Sequence, residues 1–398
     1  MAFCTPARAQ SDVLGQTANF FIDSNYDSSQ RDRIPAVLEK VGQDAYFYVD
    51  KQWWESINEA EKNTVLASLD ALEKEFHSNI YPTLISNFGL EWRPGIDKDV
   101  RVTVLIHPMQ SDAGGYFASK DEMQRLAVPN SNEREMVYLN SKFINTSFAK
   151  SFLAHELMHL ITYNQKDQIR GVSEDIWLDE ARAEYAPTLC GYDSVFDGSN
   201  LQKRVKNFLD TPNDPLIEWQ NIPADYGVDN LFIQYLVDHY GVKILSDSLR
   251  SSKVGIGSIN YALLKNGFDK NFSQIFTDWT ITVLINDCTA GKNYCYSSQN
   301  LNNIRVIPQI NVLPSVPKSI LSIGGATKNW SGSWYKIIGG KGTLTLKFTS
   351  GSGDSFKVPY IVKNTSGLYA VNFLTLDKYG RGEINVSNFA TENASLFI

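Results

Sequence analysis

Residues 149–166 read AKSFLAHELMHLITYNQK, and the placing of two histidines in this apolar run constrains the fold more than any other feature. Only five histidines occur in 398 residues, and His155 and His159 stand four apart. Phe152, Leu153, Leu157, Leu160 and Ile161 recur at helical spacing, which predicts a buried amphipathic helix. On such a helix, positions i and i+4 lie on one face, a turn apart. Both imidazoles can therefore reach one ion. Glu156, rotated by roughly 100° from His155, can flank that ion without binding it. A bare match of this length also arises by chance on a core helix, so the rest of the chain has to supply a third ligand.

Two imidazoles on Zn²⁺ and a glutamate that takes a proton from the activated water are what HExxH supplies. Catalytic zinc takes three protein ligands. After His159 the sequence LITYNQ holds no glycine and no third histidine, which excludes the HExxHxxGxxH pattern. Residues 176–187 read IWLDEARAEYAP, with Glu180 separated from His159 by 20 residues. That leaves room for the helix to end, a polar loop NQKDQIRGVSED containing Gly171, and a second helix. Glu180 and Glu184 share a face of it. One can be a zinc ligand, and the other can accept the N–H of a ligand histidine. A solvated acidic surface would have similar composition, but Trp177, Leu178, Ala181 and Tyr185 give this helix an apolar side.

HELMHLITYNQ followed by WLDEARAEYA resembles the gluzincin metallopeptidases, the thermolysin and aminopeptidase-like group. More narrowly, it is similar to the hyicolysin-type bacterial secreted metallopeptidases. The resemblance covers residues 149–187. It implies one zinc held by His155, His159 and Glu180, Glu156 as general base, and Glu184 behind a zinc histidine. The implied fold is an α+β zincin-like metallopeptidase, with an N-terminal α/β subdomain and a C-terminal helical subdomain.

Length and composition fit an enzyme with an accessory module. The chain exceeds one usual core, and 43% hydrophobic with 12% aromatic residues is a globular composition. A net charge of −7, with no basic run interleaved with aromatics, argues against a nucleic-acid partner. No run of 18 apolar residues occurs, so no transmembrane segment is expected. Residues 1–11 are expected to be a tail or a signal-peptide remnant, since Ala-Arg-Ala before Gln10 has the shape of a cleavage site without an apolar core. Cys288 and Cys295 in CTAGKNYC would close a small loop if paired, which suits a secreted protein. Cys4 and Cys190 have no evident partner.

Residues 12–148 alternate helix and strand and form the expected N-terminal subdomain. A long helix is predicted over EAEKNTVLASLDALEKEFHSNIYPTLISNFG, and strands at AYFYVD, VRVTVLIHP and EMVYLN. AGGYFASKDEM reads as a glycine-bearing loop. In gluzincins an edge strand beside the zinc helix pairs with the extended substrate, and EMVYLN takes that role by position. Residues 149–297 are the expected helical zinc-site subdomain, 298–315 an Asn- and Pro-rich linker, and 316–398 an all-β sandwich. The β domain is open to surface attachment, substrate capture or partner docking.

Tyr226, near the start of the helical stretch ADYGVDNLFIQYLVDHYG, resembles the tyrosine that aminopeptidase-like gluzincins use as oxyanion donor. Tyr235 and His239 stand behind it. The expected reaction is peptide-bond hydrolysis in proteins or peptides, of the endopeptidase type. A zinc aminopeptidase would need an acidic cluster for a free amine, for which GGYFASKDEM and SNEREM hold candidates. Another zinc hydrolase remains a rival. So does an inactive zinc-containing binding protein, although an intact Glu156 counts against that, because a purely structural site needs no base.

Overall fold

The computed structural model describes residues 11–110, 113–316, 318–351 and 356–398. All but the last residue of the expected tail, and Cys4 with it, lie outside these. The chain runs through β1 (Thr17–Phe21), β2 (Arg33–Val41), β3 (Ala45–Asp50), α1 (Lys51–Ser56), α2 (Glu59–Glu75) and α3 (Tyr81–Phe88). Next come β4 (Val102–His107), β5 (Gly115–Phe117), β6 (Met136–Asn140), α4 (Phe148–Tyr163) and α5 (Ile176–Leu189). Helices α6 (Asn200–Asp210), α7 (Pro223–Tyr240), α8 (Lys243–Leu249), α9 (Gly255–Lys265) and α10 (Phe272–Ile285) follow. The remaining strands are β7 (Gln309–Leu313), β8 (Tyr335–Gly339), β9 (Gly342–Thr349), β10 (Pro359–Asn364), β11 (Tyr369–Phe373), β12 (Arg381–Phe389) and β13 (Asn393–Phe397). The protein is thus mixed α/β with two sheets.

Two compact units form. One runs to Lys203 and adds Val242–Gly267, while the other comprises Arg204–Gly241 and Phe268–Ile398. The expected divisions after residues 148, 297 and 315 are not where the units separate. α4 and α5 belong with the preceding strands, because the apolar side of α4 is buried against β5 and β6.

The first unit is built on a sheet of order β1-β2-β3-β4-β6-β5. β3, β4 and β6 run parallel and are buried along their whole length, as strands covered on both faces must be. One face carries Phe20, Tyr46, Tyr48, Leu105, Met136 and Tyr138, the period-two selection from each strand. An Asn58–Glu61 capping box starts α2, and a π-wound turn at Phe76–Ile80 carries it into α3. β6 is not the edge: it lies between β4 and β5, and three-residue β5 takes the edge, antiparallel through Gly115↔Leu139, Tyr116↔Tyr138 and Phe117↔Val137. Gly114 and Gly115 hide this strand from a reading based on side-chain pattern.

The stretch after Tyr163 is not a loop from its first residue. Asn164–Gln168 continues the helix with π winding. Its polar side chains are buried anchors: Asn164 and Gln165 both donate to Leu90 O at 2.8 Å, and Lys166 donates to Ser248 O at 3.0 Å and Ser251 O at 3.1 Å.

The second unit joins α7 and α10 to a sheet in which β11-β10-β13-β12-β9 are linked in order, with β8 on β13 and β7 on β8. Its core holds Leu313, Ile337, Val386, Phe389 and Leu396. The expected linker therefore ends in a strand. Gln309–Leu313 pairs parallel with Tyr335–Gly339, as its Gln-Ile-Asn-Val-Leu alternation permits. Cys288 and Cys295 are bridged, with Cα atoms 5.0 Å apart, while Cys190 is a buried free thiol. Among the described residues no helix is long and apolar enough to cross a membrane.

Candidate metal centre

α4 presents His155 and His159 one turn apart, with their Nε2 atoms 3.1 Å from each other. α5 faces them with Glu180, whose Oε2 lies 3.5 Å from His155 Nε2 and 3.7 Å from His159 Nε2. That oxygen is buried and has no hydrogen-bond partner among the described residues. Ligands about 2.0–2.1 Å from a tetrahedral zinc stand about 3.3–3.4 Å apart. The triangle of 3.1, 3.5 and 3.7 Å fits that edge length. The donor set of two imidazoles and one carboxylate also suits zinc. Among the described residues this is the only group of three such donors within reach of one ion.

The outer nitrogens of both imidazoles face carboxylates on the same helix. Glu184 Oε1 lies 3.4 Å from His155 Nδ1, and Glu184 is fully buried and also accepts from Asn200 Nδ2 at 3.1 Å. Asp179 Oδ2 lies 2.9 Å from His159 Nδ1. Glu180 and Glu184 thus occupy the different positions that the sequence left open between them, and Asp179 is an addition. Its signal was present in the sequence, since the residue before Glu180 on a helix is turned by roughly 100° toward the other histidine.

Electrostatically the pocket is over-supplied with carboxylates. Burial alone would lower the imidazoles, but Glu180 and Glu184 outweigh it and hold His155 well above its usual value. Against the same burial, Asp179 and Glu180 hold His159 at about 9. Burial raises Glu156 to about 7 against the pull of the two histidines. Asp179 is held below its ordinary value because His159 beside it outweighs the cost of burial. Glu156, Asp179, Glu180 and Glu184 around two imidazoles make a cluster whose charge favours a cation.

Glu156 is buried and lies against β5. A Cβ placed on Gly115 would stand 3.0 Å from Glu156 Cγ and 2.4 Å from Tyr138 O, and one on Gly114 would meet the Phe152 ring at 2.7 Å. The two glycines let the edge strand pass directly over α4. Tyr226 lies in the second unit, in the opening turn of α7. Its hydroxyl donates to Asn221 Oδ1 at 3.1 Å, and the Arg204 guanidinium lies 4.5 Å over its ring. In that unit Tyr235 donates to Asn293 O at 2.7 Å, and His239 Nε2 lies 2.9 Å from Cys295 O. Glycines 114 and 115 carried no chemical signal in the sequence. Their importance comes from what a side chain there would strike.

No family model matches the chain, and no curated protein does. Among solved structures it is similar to a functionally unknown conserved protein, crystallised as a mutant, from Bacillus anthracis str. Ames. The match has 11% identity, covers 89% of this chain and 72% of the other, and superposes with a TM-score of 0.35. A superposition that loose defines no shared fold.

Proposed function

We propose that the protein is a zinc-dependent metallopeptidase that hydrolyses peptide bonds within proteins or peptides. The observation that carries this reading is the convergence of His155, His159 and Glu180 on one point, with Glu156 beside them under an open strand edge. Zinc at that point would supply Lewis acidity to the scissile carbonyl and acidify a water toward neutrality. Glu184 and Asp179 accept the Nδ1–H of His155 and His159 and so fix their tautomers. The Glu156 carboxylate takes the proton of the attacking water and delivers it to the leaving nitrogen. The outer edge of β5 has no strand partner among the described residues, so its backbone can pair with an extended peptide. This favours a peptide over other hydrolysable substrates. An open edge asks for no free terminus, which favours endo cleavage. The Cys288–Cys295 bridge suits an exported protein.

The test combines metal analysis with a cleavage profile. Purified protein should carry one zinc per chain, and chelation should abolish cleavage of a denatured proteome until metal is restored. Glu156→Gln should keep the zinc and lose nearly all turnover. Internal cuts support an endopeptidase, and trimmed N-termini an aminopeptidase. A metal-free protein, or a Glu156→Gln variant with wild-type turnover, refutes the reading.

A further inference from the structure

Tyr26 lies in the turn between β1 and β2, and nothing in its sequence context, SNYDSSQ, marks it. Its ring stacks on Tyr116 at 4.6 Å and 18°. Tyr116 in turn stacks on Tyr138 at 4.1 Å and 10°. Tyr116 and Tyr138 are cross-strand neighbours on β5 and β6, and the spacing between such neighbours is that of paired strands, about 4.7–5 Å. The series Tyr138, Tyr116, Tyr26 therefore runs across the sheet and one step beyond its edge. The Tyr26 ring stands where the side chain of a strand added to β5 would stand.

The turn is fixed there. Tyr26 O accepts from Gln110 N at 2.9 Å, and Asn25 O from Gln110 Nε2 at 2.8 Å. Asp23 N donates to the Tyr116 hydroxyl at 3.1 Å. Burial raises the Tyr26 phenol above its usual value, and the charges of Glu156 and Glu180 act in the same direction.

We propose that Tyr26 is a specificity-determining residue that closes the side-chain subsite opposite Tyr116, so that a peptide paired along β5 must carry glycine or alanine there. This rests on the peptidase reading. Side chains alternate along a strand. A substrate residue across from Gly115 therefore turns toward Glu156, and its neighbour, across from Tyr116, turns toward the Tyr26 ring. The substrate class is an extended peptide with one small residue next to the position lying over Glu156. A large side chain there meets an aromatic ring held by its own backbone hydrogen bonds.

The cleavage profile of a denatured proteome reads this directly. The wild-type chain should show one position beside the cut confined to glycine and alanine. Tyr26→Ala should admit leucine and phenylalanine there, with the ratio of large to small residues rising by at least about tenfold. Tyr26→Leu, which keeps an apolar contact with Tyr116, should shift the profile part of the way and covers the case in which the alanine variant does not fold. Tyr26→Phe keeps the ring and should keep the restriction. Binding gives a second measurement: in the Glu156→Gln background, peptides with glycine or phenylalanine at that position should be ranked by calorimetry, and Tyr26→Ala should erase the ranking. A wild-type profile without a small-residue position overturns the proposal, as does an unchanged profile in the alanine and leucine variants or loss of the restriction in Tyr26→Phe. A wild-type chain that cuts nothing refutes the peptidase reading. The binding ranking then still decides Tyr26.

Discussion

Replacing Gly115 with alanine isolates the contact between the edge strand and Glu156. The new Cβ would stand 2.4 Å from Tyr138 O, where about 3.0 Å is the nearest such an atom comes, so the backbone must yield by about 0.6 Å. It cannot simply retreat, because Glu156 Cγ and Oε1 are each already 3.0 Å from the same point. Relief on one side presses on the other. The register Gly115↔Leu139 and the Asn140 N to Gly114 O bond at 3.0 Å resist a shift of β5 along β6. Overpacking of this kind costs about 1–3 kcal/mol of stability, and displacing a reacting group by somewhat less than 1 Å costs up to about 10²-fold in rate. We expect Gly115→Ala to bind zinc as the wild type does and to lose about 30–100-fold in kcat/KM on a quenched peptide. Gly257→Ala in α9 is the control, since nothing lies within 4 Å of its Cβ position. It should hold wild-type activity with equal or higher stability. Full kcat/KM in Gly115→Ala, with an unshifted urea midpoint, would refute the argument that the strand is set against Glu156.

Two further outcomes follow from other contacts. Glu180→Gln should purify essentially metal-free, whereas Glu184→Gln and Asp179→Asn should bind zinc about 10–100-fold more weakly, or about 1.4–2.7 kcal/mol, in competition with a chelator. The reverse ranking would move the ligand four residues along α5. Glu122 is buried, and neither of its oxygens has a hydrogen-bond partner among the described residues. Burial, with Glu135, Glu91 and Asp121 nearby, raises it from 4.5 to about 9. It is neutral when folded and ionised when unfolded between those values, so its contribution is complete below about pH 4.5 and falls by about 1.4 kcal/mol per pH unit toward 9. Urea melts of Glu122→Gln should lose less stability between pH 5.5 and 8.5 than those of the wild type, and equal slopes would dismiss the assignment.

The helices that carry the centre were legible because their periodicity is local: Leu153, Leu157, Leu160 and Ile161 needed no tertiary context to be placed on one side of α4. The histidine spacing fixed their common face for the same reason. What could not be read was non-local. Gly114 and Gly115 look like a loop until Tyr138 and Glu156 are set on either side of them. Asn164, Gln165 and Lys166 look like solvent-facing loop residues until the carbonyls of Leu90, Ser248 and Ser251 are found at their ends. Tyr26 acquires a meaning only through a stack reaching across two strands from far along the chain. β7 was concealed by the prolines and asparagines around it, which outweighed five alternating residues.

α5 contributes Asp179, Glu180 and Glu184 within a turn and a half, so its carboxylates move as one piece. If the helix swings away from α4, both imidazoles lose their backing and the third donor leaves together with them. A cation bound by this group would tie its own occupancy to the docking of α5 on α4, making the two one cooperative unit in the sense of local unfolding, and would act as the clasp that suppresses that opening.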